Sequence, residues 1–141
     1  MPVRVELTRI LIRELTDYQL IELREAEPAS GEGRSFPIVI GLPEAQAIER
    51  RLKGLQIKRP QTHDLLASVV TALGATLRSI TITDLSEHTF FATLDIEDAS
   101  GDPISIDARP SDAIALGAAT RVPIYVNEHV IDAVLRDEPG F

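Results

Sequence analysis

Apolar positions along the chain follow two periods, and the switches between them mark the elements. Alternation or continuous apolar character over "VRVELTRILIREL" and "YQLIELREAE" predicts two strands joined at Thr16-Asp17. "PASGEGR", with two glycines, a proline and polar neighbours, reads as a loop. "SFPIVIG" is a third strand with Phe36, Ile38 and Ile40 on one face. Gly41 and Pro43 then open a helix, since proline is welcome in a first turn where its missing N–H is not needed. Ala45, Ile48, Leu52 and Leu55 give it a buried stripe, and Gly54 is the expected stop.

The strongest helical signal comes next. Leu65, Leu66, Val69, Val70 and Leu73 recur at helical period, predicting one apolar face that packs inward, with Gly74 beyond it. Three further strands follow: "LRSITITDL" with Ile80 and Ile82 inward, "TFFATLDIED" with Phe90, Ala92, Leu94 and Ile96 inward, and "PISIDA" alternating Ile104 and Ile106 with Ser105 and Asp107. A small-residue helix "SDAIALGAAT", a short strand "PIYV" and a last helix "EHVIDAVLR" complete the pattern. Three strands and two helices thus occur twice, the second time with an extra strand between the helices. This order suggests a diverged internal duplication, with halves of about 1–75 and 76–136 sharing one core within a single domain over 1–141. Hairpins at the start of each half argue for an α+β fold on a mostly antiparallel, curved sheet, against a doubly wound parallel one.

Composition narrows the class. Hydrophobic residues make up 44% of the 141, enough for a sizeable core, and there is no cysteine, so disulfides and thiolate metal sites are excluded. No apolar run reaches the ~18 residues of a membrane span, and "MPVRVELTRI" lacks a signal-peptide pattern. The expectation is a cytoplasmic protein with no membrane partner. A net charge of −8 argues against a broad nucleic-acid-binding surface. Yet Arg50, Arg51, Lys53, Lys58 and Arg59 hold five of the fourteen basic residues, which reads first as a solvated helix end and alternatively as one local positive patch on an acidic body.

The chemistry concentrates at two helix entrances, "KRPQTHDLL" and "IDARPSDAIALG". Capping explains part of each: Thr62 and Ser111 suit N-cap positions, and Asp64 and Asp112 suit the positive first turn. It leaves Arg59, His63, Asp107 and Arg109 without a duty. If the entrances adjoin, two readings stand. One is an ion-pair network locking the halves, because planar arginine pairs well with carboxylate. The other is a phosphodiester site, with Asp64, Asp107 and Asp112 for Mg²⁺ or Mn²⁺, arginine for phosphate and His63 for proton transfer. Binding of a small phosphorylated or carboxylated ligand at the entrances is a third. The acids Asp95, Glu97, Asp98 and Asp102 form a further run that reads as solvated surface.

These same stretches carry a resemblance. "FPIVIG", "EAQAIERRLKG" leading into "RPQTHDLL", "TFFATL", and "IDARPSDAIALG" followed by "PIYV" resemble the bacterial bifunctional nuclease domain family, in order and at family-like spacing over roughly 36 to 126. Gly117 stands where alanine is commoner. The resemblance implies two repeated βββαα units on a barrel-like sheet, self-association with a dimer favoured, and nuclease activity on DNA and RNA. Its motif positions here are Arg59, Pro60, Thr62, His63 and Asp64, with Asp107, Arg109, Pro110, Ser111 and Asp112. The expected roles are His63, Asp64, Asp107 and Asp112 in catalysis, the three aspartates on metal, and Arg59, Arg109, Thr62, Ser111 and the patch Arg50, Arg51, Lys53 and Lys58 on substrate. The rival expectation is a non-enzymatic homodimeric regulatory or ligand-binding module whose Arg/Asp cluster is structural.

Overall fold

The computed structural model describes residues 2–13, 15 and 17–137. In chain order the elements are β1 (Pro2–Leu11), β2 (Gln19–Glu25), β3 (Ser35–Ile40), α1 (Leu42–Lys53), α2 (Thr62–Ala72), β4 (Thr76–Ser86), β5 (Thr89–Glu97), β6 (Pro103–Ala108), α3 (Pro110–Gly117), β7 (Ile124–Asn127) and α4 (Glu128–Asp137). The fold is α+β, as the pattern predicts. Of the turn expected at Thr16-Asp17, Thr16 lies outside the described residues, as does Glu14 of the strand expected before it.

The seven strands form one mixed sheet in the order β3-β2-β1-β7-β4-β5-β6. Two antiparallel meanders, β1–β3 and β4–β6, are bridged by the short β7, which runs antiparallel to β1 and parallel to β4. The sheet is open, with β3 and β6 as its edges, where the resemblance implies a barrel-like sheet. Closure would require those two strands to meet, and among the described residues each has a strand neighbour on one side only.

The core lies on one face of this sheet in two parts. Ile21, Leu23, Phe36, Ile38 and Ile40 pack with Ile48 of α1 and Val130 and Ile131 of α4, and Phe36 stacks on Phe90 with ring centroids 5.9 Å apart. Ile80, Leu94 and Ile96 pack with Ala113 and Leu116 of α3. Helix α3 is buried at every position except Asp112, and its alanines let it lie close to α1 and the sheet. Ala113, Ala115, Gly117 and Ala118 are buried and serve the subunit's own core, while Ala119 is exposed. Gly117 fits where a Cβ would sit 2.5 Å from Val122 Cγ2 and 2.8 Å from Ile80 Cδ1.

Three local expectations change. Leu55 follows the helix that Gly54 ends in left-handed conformation, and it is exposed. The N-caps are Gln61 and Arg109, one and two residues before Thr62 and Ser111, so those hydroxyls sit inside the first turns. Most consequentially, the stripe Leu65, Leu66, Val69 and Leu73 is exposed, and of the apolar side chains of α2 only Ala67 and Val70 pack on the core. Ile104 and Ile106 are exposed too, at the edge strand of the sheet.

Candidate functional site

The two entrances do adjoin. α2 and α3 pack together, and between them and β6 opens a cleft of about 620 Å³. Gln61, Thr62 and His63 line it from the α2 entrance, Asp107, Arg109 and Asp112 from the α3 entrance, and Glu44 from the first turn of α1. Leu66, Val70, Leu94 and Ile106 form its apolar wall. Helix α3 begins at the cleft because proline at its first turn needs no N–H partner, while Arg109 ahead of it stays extended (φ −72, ψ 144).

Two charged groups of different character emerge. In the first, His63 Nε2 lies 3.0 Å from Asp112 Oδ1. An ionised carboxylate only accepts, so Nε2 carries the proton and donates it, leaving Nδ1 as the basic nitrogen of the neutral ring. Among the described residues Nδ1 has no partner. Arg109 Nε donates to the other oxygen of Asp112 at 2.9 Å, and its Nη2 stands 3.9 Å from Glu44. The Asp112 carboxylate beside it raises the guanidinium pKa further. Arg109 is 66% exposed at its side chain, whereas His63 is only 13% exposed.

The second group is a lock. Asp64 Oδ1 accepts from Arg51 Nη1 at 2.6 Å and from Arg50 Nη1 at 3.2 Å, and Oδ2 accepts the Gln61 backbone N–H at 3.0 Å. Arg50 Nη2 stands 2.9 Å from Oδ2, an ion-pair distance without hydrogen-bond alignment. Arg51 also donates from Nε and Nη2 to the Ala115 and Leu116 carbonyls, satisfying the negative end of α3. Burial pushes the Asp64 carboxyl up, but hydrogen bonds from Arg50, the Gln61 N–H and Arg51 outweigh it and hold the group at about 2.

These placements sort the expected residues. His63, Asp107, Arg109, Asp112 and Thr62 share the cleft, while Ser111 is buried beside it. Asp64 turns away to the lock, and Arg50 and Arg51, expected on substrate, turn inward with it because a partly buried carboxylate needs both guanidiniums. Lys53 pairs with Glu49 on the surface at 3.7 Å. Lys58 and Arg59 are exposed just before α2, without an ion-pair partner among the described residues. The three aspartates do not form a cation cage: among the described residues no group of three His, Asp or Glu side chains is arranged to hold a metal ion. The acidic run further on is also committed. Asp95 accepts from the hydroxyls of Ser79, Thr81 and Thr93, Asp98 caps its own turn, and Glu97 pairs with Arg78.

Glu44 is the cleft residue that sequence reasoning missed. Within "GLPEAQ" it reads as an ordinary first-turn acid, and only the packing of α1 on α3 brings it within reach of Arg109.

Comparison with known proteins places the chain in a family. The model of the family described as the bifunctional nuclease domain matches residues 27–138. An uncharacterized protein of Mycobacterium tuberculosis is 40% identical over 127 residues, which is 90% of this chain and 73% of that protein. A protein of Arabidopsis thaliana named bifunctional nuclease 2 is 28% identical over 102 residues, 71% of this chain and 31% of its own length. A protein of Oryza sativa subsp. japonica named bifunctional nuclease 1 is 23% identical over 122 residues, covering 79% and 37%.

Proposed function

The chain belongs to the bifunctional nuclease domain family, and from that premise we propose that its cleft hydrolyses phosphodiester bonds in DNA and RNA. The observation that carries the reading is the His63–Asp112–Arg109 chain at the head of α3. Asp112 fixes the tautomer that leaves Nδ1 free to take a proton. Water attacks phosphorus, its proton passes to Nδ1, and the P–O bond to the leaving oxygen breaks, that oxygen taking up a proton from solvent. The imidazolium that forms is stabilised by Asp112. Arg109 and the uncapped N-terminus of α3 would neutralise the charge that grows on the non-bridging oxygens. Thr62, Lys58 and Arg59 would contact the chain to either side, and Asp107 would orient the water.

Expected metal assistance does not fit the residues as they lie. Asp64 is held by two guanidiniums, and the aspartates form no shared cage, so no step here is routed through an ion. Mg²⁺ and Mn²⁺ enter the assay as additives, beside EDTA.

The test is cleavage of labelled DNA and RNA oligonucleotides at low salt, because a chain of charge −8 should bind weakly and with steep salt dependence. Asp112→Asn should lower the rate by about 10²–10⁴-fold, the range of a lost acid–base device, with the melting temperature nearly unchanged. Wild-type protein that cleaves neither polymer under any metal condition refutes the reading. The Asp64 lock is the specific observation favouring the second reading, a non-enzymatic regulatory or ligand-binding module, and that result would support it.

A further inference from the structure

The sheet is split beside its shortest strand. β7 has four residues, which pair with Pro2 to Val5 of β1 and with Ile80 to Ile82 of β4. Both neighbours extend past the start of β7, β1 onward to Leu11 and β4 back to Thr76, with no strand between them there among the described residues. Two strand spacings, about 9–10 Å, separate them where β7 stops. A cavity of about 400 Å³ lies in this split. Leu52 of α1 and Ile114 of α3 line it from the core side, and Val5, Leu7, Ile80 and Val122 from the strands and the loop after α3. It shares no lining residue with the catalytic cleft and lies at the other end of α3.

Two arginines stand at this cavity. Arg4 and Glu6 are exposed and alternate along β1 with Val5 and Leu7, and Arg121 is exposed in the loop after α3. Neither arginine has an ion-pair partner among the described residues. Glu6 lies beyond ion-pair distance of both, and Glu25, opposite Val5 on β2, is taken by Arg34. One positive charge is therefore in excess. The negative end of α3 would oppose an anion, but its carbonyls are occupied. Arg51 donates to Ala115 and Leu116, and the N–H groups of Arg121 and Val122 donate to Ala118 and Gly117 at 3.3 and 3.4 Å. The last two bonds form a Schellman turn, whose left-handed position is usually glycine. Arg121 holds that position at φ 52, a conformation that is unfavourable for a residue with a Cβ. Nothing in the turn calls for an arginine, and backbone strain of this kind clusters at binding sites.

We propose that this cavity binds a small anion carried on a hydrocarbon body. Arg4 and Arg121 hold its carboxylate or phosphate, which a guanidinium fork matches in geometry and charge. The apolar body fills the split between β1, β4 and the two helices. The volume falls within the range of small-molecule sites, about 300–1,000 Å³. Among the described residues that line it there is no serine, threonine, asparagine, glutamine, histidine or tyrosine. No neutral hydrogen-bonding side chain therefore reads a base or sugar edge, which argues against a nucleotide and for a body without polar groups.

The test is a titration of the full chain with octanoate and with naphthoate, followed in amide proton–nitrogen correlation spectra. It involves no cleavage, so it stands or falls separately from the nuclease reading. The amides of Leu7, Gly117, Arg121 and Val122 should shift and saturate with a sub-millimolar Kd, and the tighter of the two compounds tells an acyl from an aromatic ligand. Octanol should bind at least about tenfold more weakly than octanoate, the loss expected for one charged hydrogen bond. Adenosine monophosphate should leave those amides unmoved. Arg4→Gln and Arg121→Gly should each weaken octanoate about tenfold, and Glu6→Gln should tighten it by up to about fivefold. Arg121→Gly should not lower the melting temperature, because glycine is the usual residue of that turn, so its loss of binding is not a loss of fold. Octanol bound as tightly as octanoate, an affinity that neither arginine variant changes, or adenosine monophosphate held there more tightly than octanoate each overturns the proposal. So do shifts that map to the exposed Leu65 and Leu73 face of α2 in place of the cavity, or no saturable shift at Gly117 and Val122 up to about 5 mM.

Discussion

Asp64→Asn separates a lock from a catalyst. The carboxylate sits between two guanidiniums whose side chains are 14% and 8% exposed, and it also accepts the Gln61 N–H. The amide keeps the shape and one acceptor oxygen but removes the charge, leaving two arginines facing each other with little water to screen them. Breaking a fully buried pair costs about 3–5 kcal/mol. Here part of the site reaches solvent and Arg51 keeps its bonds to Ala115 and Leu116, so a loss of about 2–3 kcal/mol is expected. At this chain length that lowers the melting temperature by about 6–10 °C. Urea denaturation at pH 7 reads the free energy, and repeating it downward in pH checks the cause. The folded carboxyl is held at about 2, below its ordinary 3.8, so its contribution is present above about pH 4 and is lost as pH falls through the window from 4 to 2. The gap between wild type and variant should close across that window. A variant as stable as wild type at pH 7, or a gap that does not change with pH, would refute the reasoning.

Other substitutions test other parts of the molecule. Asp112→Asn should do the reverse of Asp64→Asn, lowering cleavage of labelled oligonucleotides by about 10²–10⁴-fold while shifting the melting temperature by no more than about a degree or two, since Asp112 lies at a partly open cleft. Gly117→Ala gains up to about 1 kcal/mol of helix propensity but must push against Val122 and Ile80, an overpacking cost of about 1–3 kcal/mol. The net is a loss of about 1 kcal/mol in urea, which Val122→Ala in the same chain should recover. Arg34→Ala removes the tie from the β2–β3 hairpin to α4, where Arg34 pairs with Glu25 and with Glu128 at 2.6 Å. Its expected cost is about 1–2 kcal/mol. The hydrogen bond from Arg34 outweighs burial to lower the Glu25 pKa, so this stabilisation is present above the ordinary carboxylate range and fades as pH falls below it.

Much of this molecule is legible from the chain alone. Period-two alternation placed Phe36, Ile38 and Ile40, and later Ala92, Leu94 and Ile96, on the buried face, because a strand with one face on a core has no other way to satisfy both solvents. Gly54 and Gly74 marked helix stops through their left-handed backbone, and the paired Arg-Pro entrances did converge on one cleft. What the chain could not express is which partner each charge takes. Asp64 and Asp112 occupy the same kind of position, in the first turn of a helix behind Arg-Pro, yet one is enclosed by arginines from α1 and the other faces a histidine and a cleft. That difference arises because Arg50 and Arg51 from the last turn of α1 reach Asp64, a contact between separate elements. The apolar stripe of α2 teaches the same point from the other side. Its period declares that it must be covered, and only the tertiary structure shows that the subunit itself does not cover it.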